Sequence, residues 1–190
     1  VISMDSDDPT MNNDEIKNYL TKLIDNGVDL VYHYGESKTK VQACNADMVG
    51  ETFDVLLLIS DDMALNTDNY DEVIFRDFSG VFPEFDGGIK YHDGLRGGGD
   101  LLMTLPCIGW KFYESCGYIY HPDYTSVYCD NDMTQHLLAL EKYAMSQECI
   151  ARHEWTSEPF DELHARNENA EMYAIDKQVF IRRMNENFGV

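Results

Sequence analysis

The chain has 190 residues, 44% of them hydrophobic, and a formal net charge of −21. That hydrophobic share excludes a disordered composition, and the length suffices for one sizeable domain with its own core. So acidic a chain argues against a nucleic-acid backbone or an anionic membrane surface as partner, because both call for basic patches. An anionic, phosphate-bearing ligand would need a bound cation to bring it to this protein. The cysteines, Cys44, Cys107, Cys116, Cys129 and Cys149, are odd in number and form no CxxC. That usage fits reduced thiols in a cytoplasmic protein better than a disulfide framework. The sequence holds no signal peptide, no membrane-spanning run and no internal repeat. It starts at Val1 rather than Met, inside a strand-like stretch, as expected of a trimmed amino end.

Val1 to Met4 reads as a strand that leads into the acidic turn Asp5-Ser6-Asp7-Asp8-Pro9. Asn13 caps a helix from about Asp14 to Ile24, with Ile16, Tyr19, Leu20, Leu23 and Ile24 on one face. Asn26-Gly27 ends it, and Val28 to His33 reads as the second strand of a βαβ unit. A polar loop with Lys38 and Lys40 precedes a short helix that carries Val41, Cys44, Asn45 and Met48. Next comes Phe53 to Ser60, whose Val55-Leu56-Leu57-Leu58-Ile59 run has the length of a strand buried on both faces. It runs straight into Asp61-Asp62. In open α/β sheets ligands bind beyond the carboxyl ends of the strands, and adjacent carboxylates repel unless a cation or proton separates them. Such oxygen donors suit Mg²⁺ or Mn²⁺.

A helix follows from Asp68 to about Gly80, then a short strand over 87–91 and a glycine-rich stretch, 92–100, predicted to close over a ligand. Its spacing is not that of a phosphate loop. Leu101 to Leu105 reads as a strand, Gly109 to Ser115 as a short helix, Tyr118 to Tyr120 as a strand, Met133 to Ala144 as a helix and Glu148 to His153 as a strand. From Phe160 onward the pattern is that of a polar helix. No linker divides the chain, so the expectation is one α/β domain with a mainly parallel central sheet flanked by helices.

Several of these stretches together resemble the nucleotide-sugar-dependent glycosyltransferases of the GT-A fold, in particular the family-2-like group. The stretches are Val1 to Asp8, then Gly35-Glu36-Ser37-Lys38 with Asn45, then the Leu-rich strand with Asp61-Asp62. They continue with Gly117-Tyr118-Ile119-Tyr120-His121-Pro122-Asp123-Tyr124 followed by Asp130 and Asp132, and end with His153. No single motif is specific, but the set spans nearly the whole chain in the family's order.

The resemblance implies a GT-A, Rossmann-like domain over 1–190. Residues 1–62 would form the nucleotide-sugar-binding half, 63–158 the acceptor half and 159–190 a C-terminal helical segment. It implies an inverting transfer of a sugar from a UDP- or GDP-sugar to an acceptor. Asp5 or Asp7 would read the nucleobase or ribose. Lys38 would contact the diphosphate, with Asn45 beside it. Ser60-Asp61-Asp62 stands for the family's metal-binding "DXD" element, so Asp61 falls on the donor side, and Asp62 with His153 would hold a divalent metal, Mn²⁺ or Mg²⁺. Asp130 or Asp132 would be the catalytic base, and Trp110 would stack on an acceptor sugar. The family pattern also implies a further strand and helix ahead of Val1, which this sequence does not carry. A nucleotidyltransferase and a catalytically incomplete, glycosyltransferase-like binding or assembly module are the rival expectations.

Overall fold

A computed structural model describes residues 1–48, 50–94, 100–154 and 169–190. The predicted loop at 92–100 and the start of the C-terminal helix at Phe160 fall largely or wholly outside the described residues. The amino end is the βαβ unit read from the sequence: β1 (Ile2–Asp5), α1 (Asp14–Asp25) and β2 (Tyr32–Gly35). The Asn13 side chain accepts the Ile16 N–H at 3.0 Å and so caps α1, whose apolar stripe turns Leu20 into the core. β1 and β2 pair in parallel, from Ile2 against Tyr32 to Asp5 against Gly35.

Beyond α2 (Lys40–Ala46), the chain builds a four-stranded sheet and a two-stranded one. The larger holds β3 (Val55–Leu57), β5 (Gly88–Lys90), β6 (Cys107–Gly109) and β7 (Tyr143–Met145), in the order β3-β6-β5-β7. In the smaller, β4 (Met63–Leu65) pairs antiparallel with β8 (Ala151–His153). The expectation of a mainly parallel central sheet is corrected here: β3, β5 and β7 run one way, but β6 runs against both its neighbours. The protein is mixed α/β with small, mixed sheets. Strand direction is set by which edges meet, and no residue pattern in a three-residue strand records it.

The Leu-rich run is covered on both faces by period-2 alternation. Leu56 and Leu58 turn into one apolar layer with Ile108, Phe112, Met133 and Leu137. Val55, Leu57 and Ile59 pack in the opposite layer, against Ile74, Phe78 and Phe82 of α3 (Tyr70–Val81) and its C-cap. The first layer is built by α4 (Trp110–Cys116) and α5 (Cys129–Ala139). Gly117, at φ 76°, closes α4 in the left-handed conformation that glycine enters without penalty. The last helix, α6 (Ala170–Asn185), is followed by a 3₁₀ turn at Asn187–Gly189 and buries Asp176 and Arg183. Among the described residues no helix is long and apolar enough to cross a membrane.

Three predicted elements differ. Leu101 to Leu105 is not a strand. Its backbone is held by side chains instead: Thr134 Oγ1 accepts the Met103 N–H at 3.0 Å, the Tyr143 hydroxyl donates to the Leu101 carbonyl at 2.6 Å, and Lys90 Nζ donates to the Asp100 carbonyl. Tyr118 to Tyr120 is irregular rather than extended. The helix expected at 133–144 starts earlier, at Cys129, and gives way to β7.

Candidate functional site at the carboxyl edge of the mixed sheet

The aligned strands β3, β5 and β7 send their carboxyl ends to one edge, and three following segments meet there. Residues 60–62 follow β3. The Asp62 carbonyl accepts the Glu154 N–H at 2.7 Å, which extends the β4/β8 ladder past its last pair, Met63 with His153. Residues 91–94 follow β5, and the Asp93 carbonyl accepts the His153 N–H at 2.8 Å. The stretch after β7 leads through Glu148, whose carbonyl accepts the His92 N–H at 3.0 Å, into β8. His153 is therefore fixed by backbone bonding to two other segments.

That register brings His153 Nε2 to 2.7 Å from Asp62 Oδ2. Both side chains stay partly open, at 19% and 33% exposure. Burial alone would push the Asp62 carboxyl up. The Ser60 hydroxyl, which donates to Oδ1, and His153 on Oδ2 outweigh it and hold the group below the usual carboxylate range. A carboxylate oxygen and an imidazole nitrogen form a donor pair that Mn²⁺ accepts, whereas Mg²⁺ favours oxygen alone. Among the described residues no group of three or more His, Cys, Asp or Glu gathers as a metal site. Asp61, next in the chain, is exposed. Thr104 donates to the buried Asp93 carboxylate at 2.7 Å, closing the floor of the edge.

The nucleotide-side residues lie at the other small sheet. Parallel pairing ends β1 and β2 at one edge, with Asp5 opposite Gly35, and the chain beyond carries Asp7 and Lys38, both exposed. Asn45 is committed elsewhere. Its Oδ1 accepts the Ile119 and Tyr120 N–H groups at 2.9 and 3.0 Å, and its Nδ2 donates to the Tyr120 carbonyl at 2.7 Å. It staples α2 to the irregular Tyr-rich segment, which explains why that segment needs no strand partner. Trp110 begins α4 after β6, and β6 runs against β3, so Trp110 sits at the opposite edge of the sheet from Asp62. There its N–H donates to the Asp54 carbonyl at 2.9 Å, and Lys111 Nζ lies 5.5 Å from its ring centre.

The two candidate bases part company. Both lie in the first turn of α5, where the helix dipole favours carboxylates. α5 ends just before β7, and Thr134 ties it to Met103 ahead of β6; both contacts turn its first turn toward the carboxyl edge. Asp130 is half-buried, and its Oδ1 accepts the Asn131 N–H at 2.8 Å. Asp132 is only 2% exposed and is enclosed by Arg183 and Tyr124. Arg183 Nε donates to Oδ2 at 2.9 Å, an Arg183 terminal nitrogen donates to Oδ1 at 3.3 Å, and the Tyr124 hydroxyl donates to Oδ2 at 2.9 Å. Both Asp132 carboxylate oxygens are therefore held by partners inside the protein.

Sequence reasoning missed Arg183 and Asp176. The Asp176 carboxylate accepts the Thr125, Ser126 and Val127 N–H groups at 2.9, 2.8 and 2.9 Å and the Thr125 hydroxyl at 2.8 Å. The available signal was an acid and a base seven residues apart, on one side of an otherwise polar helix. The chain matches no family model, no curated protein and no solved structure.

Proposed function

We propose that this protein is a metal-dependent, inverting glycosyltransferase that moves a sugar from a UDP- or GDP-sugar to an acceptor hydroxyl. One observation carries the reading. Asp62 and His153, 91 residues apart, meet at 2.7 Å beyond the carboxyl end of the Leu-rich strand. These are the two residues to which the resemblance gives the metal. In this reading Asp62 and His153 would hold a divalent ion, which would supply positive charge against the departing diphosphate. Asp130 takes the proton of the acceptor hydroxyl as its oxygen attacks the anomeric carbon, and the diphosphate leaves with the electron pair of the broken C–O bond. Asp5, Asp7 and Lys38 hold the nucleotide. A GT-A arrangement and a cytoplasmic setting belong to the same reading; the latter rests on five unpaired thiols.

The test is calorimetric titration with UDP, GDP and their sugar conjugates, in Mn²⁺ and then in EDTA. Metal-dependent binding of one nucleotide, abolished in Asp62→Ala, is expected. Absence of both binding and turnover of every nucleotide sugar in Mn²⁺ overturns the reading. A second reading, a binding or assembly module without catalysis, draws on the fact that Asp132 is consumed by Arg183. It predicts nucleotide binding that survives Asp130→Ala with no turnover in either protein.

A further inference from the structure

Among the described residues, the side-chain hydrogen bonds from α6 to earlier elements land in one short stretch, 123–132. Arg182 reaches Asp123, Met172 Sδ accepts from the Thr125 hydroxyl, Asp176 takes the donors of residues 125–127, and Arg183 takes Asp132. Tyr173 and Phe180 add ring contacts to Tyr128. Asp130 lies between the two strongest anchor points.

The segment 123–128 has no helix or strand of its own, and α5 begins after Tyr128, at φ 61°, with no side-chain cap. At that start the Cys129 thiol donates to the Ser126 carbonyl at 3.2 Å. Three consecutive amides and a hydroxyl converge on the fully buried Asp176, and each of the three amides would be left without this partner were that carboxylate removed. One turn into α5, the buried Arg183 fork grips Asp132, and its other bond, at 2.6 Å to the Phe188 carbonyl, ties that grip to the chain's end. Burying two charges is costly, and good geometry with full hydrogen bonding is what offsets the cost. Here that geometry brackets a single helix turn.

We propose that Asp176 and Arg183 are positioning residues: as a two-point clamp they set the first turn of α5 so that Asp130 stands within reach of the acceptor hydroxyl. This rests on the glycosyltransferase reading, in which Asp130 is the base. A general base works only within hydrogen-bond distance, and a displacement near 1 Å costs on the order of 100-fold in rate. The clamp touches none of the donor-side residues on β1 or after β3. Its loss therefore lowers kcat and leaves the donor KM alone.

The experiment follows nucleoside diphosphate release from UDP-glucose, UDP-N-acetylglucosamine and GDP-mannose in Mn²⁺, with water as acceptor. It compares wild type, Asp176→Asn, Arg183→Lys and, as a control on the exposed face of α6, Lys177→Ala. Circular dichroism melts set an assay temperature at which each variant is folded. Asp176→Asn is expected to lower kcat roughly 10- to 100-fold with donor KM changed less than about 2-fold. Arg183→Lys, which keeps the charge and loses the fork, is expected to fall between it and wild type, and Lys177→Ala to match wild type. Should Asp176→Asn fail to fold, Arg183→Lys decides by the same split. An unchanged kcat in the clamp variants, or kcat and KM moving together, overturns the inference alone. A wild type that neither binds nor turns over any of the three donors overturns the glycosyltransferase reading, and the inference with it.

Discussion

Two of the contacts between a carboxylate and a basic side chain that tie distant parts of this chain together differ in what surrounds them. Asp132 and Arg183 meet at 2.9 Å with side chains 3% and 7% exposed, and both carboxylate oxygens are bonded from within. Asp62 and His153 meet at 2.7 Å with a third and a fifth of their surfaces open to solvent, at the edge where three strands end. The first is closed and can only hold the protein together. The second is open on one side and can exchange its partner for a ligand. Residue type does not separate them, since each is an acid beside a base. Enclosure does.

The largest effect expected from this contrast is on stability at the closed pair. Arg183→Met strands a buried carboxylate and is expected to cost about 3–5 kcal/mol, read as a fall in the urea midpoint with an unchanged slope. Replacing both partners, Arg183→Met with Asp132→Leu, is expected to recover part of that loss: the unpaired charge goes, while the Tyr124 hydroxyl and the Phe188 carbonyl lose their partners. Next comes the Asn45 staple: Asn45→Ala removes one donated and two accepted bonds across 74 or 75 residues. Its expected cost is about 2–3 kcal/mol by the same measurement. Smallest is the open pair. Asp62→Asn is expected to change stability by less than about 1 kcal/mol, since a partly exposed pair is screened by water. The sign with pH follows from the depressed folded value of Asp62. Its contribution is present above the unfolded carboxyl value, near pH 4, and disappears as pH falls through the lower folded value. The wild type and Asp62→Asn should therefore converge in acid. A larger cost at Asp62 than at Arg183 would invert the comparison.

The contrast also marks how far the sequence could be read. The βαβ start was legible because its signals are local: the Asn13 cap, apolar residues at helical spacing and the Asn26-Gly27 stop. The pairing of Asp62 with His153 came into view only through the family resemblance, since no local pattern joins residues 91 apart. The end of α5 was hidden, because Glu141 takes φ 57° with no glycine or proline to announce the break, while Leu140, Tyr143 and Ala144 continue the apolar run. The 101–105 run reads as a strand because it is apolar, yet side chains of Asp100, Thr134 and Tyr143 supply its backbone bonds. The commitments of Asn45, Asp132 and Asp176 could not be read at all. Each spans 49 to 75 residues, and such pairings leave no periodic trace.

The β4/β8 pairing has a consequence during synthesis. Asp62 leaves the ribosome 91 residues before His153, a wait of roughly 5–20 s at ordinary elongation rates. Through that interval β4 has no ladder partner, and its Met63-Ala64-Leu65 edge is open to other nascent chains. The acidic residues that flank it, Asp61, Asp62 and Asp68, then keep the waiting strand apart from its neighbours by charge.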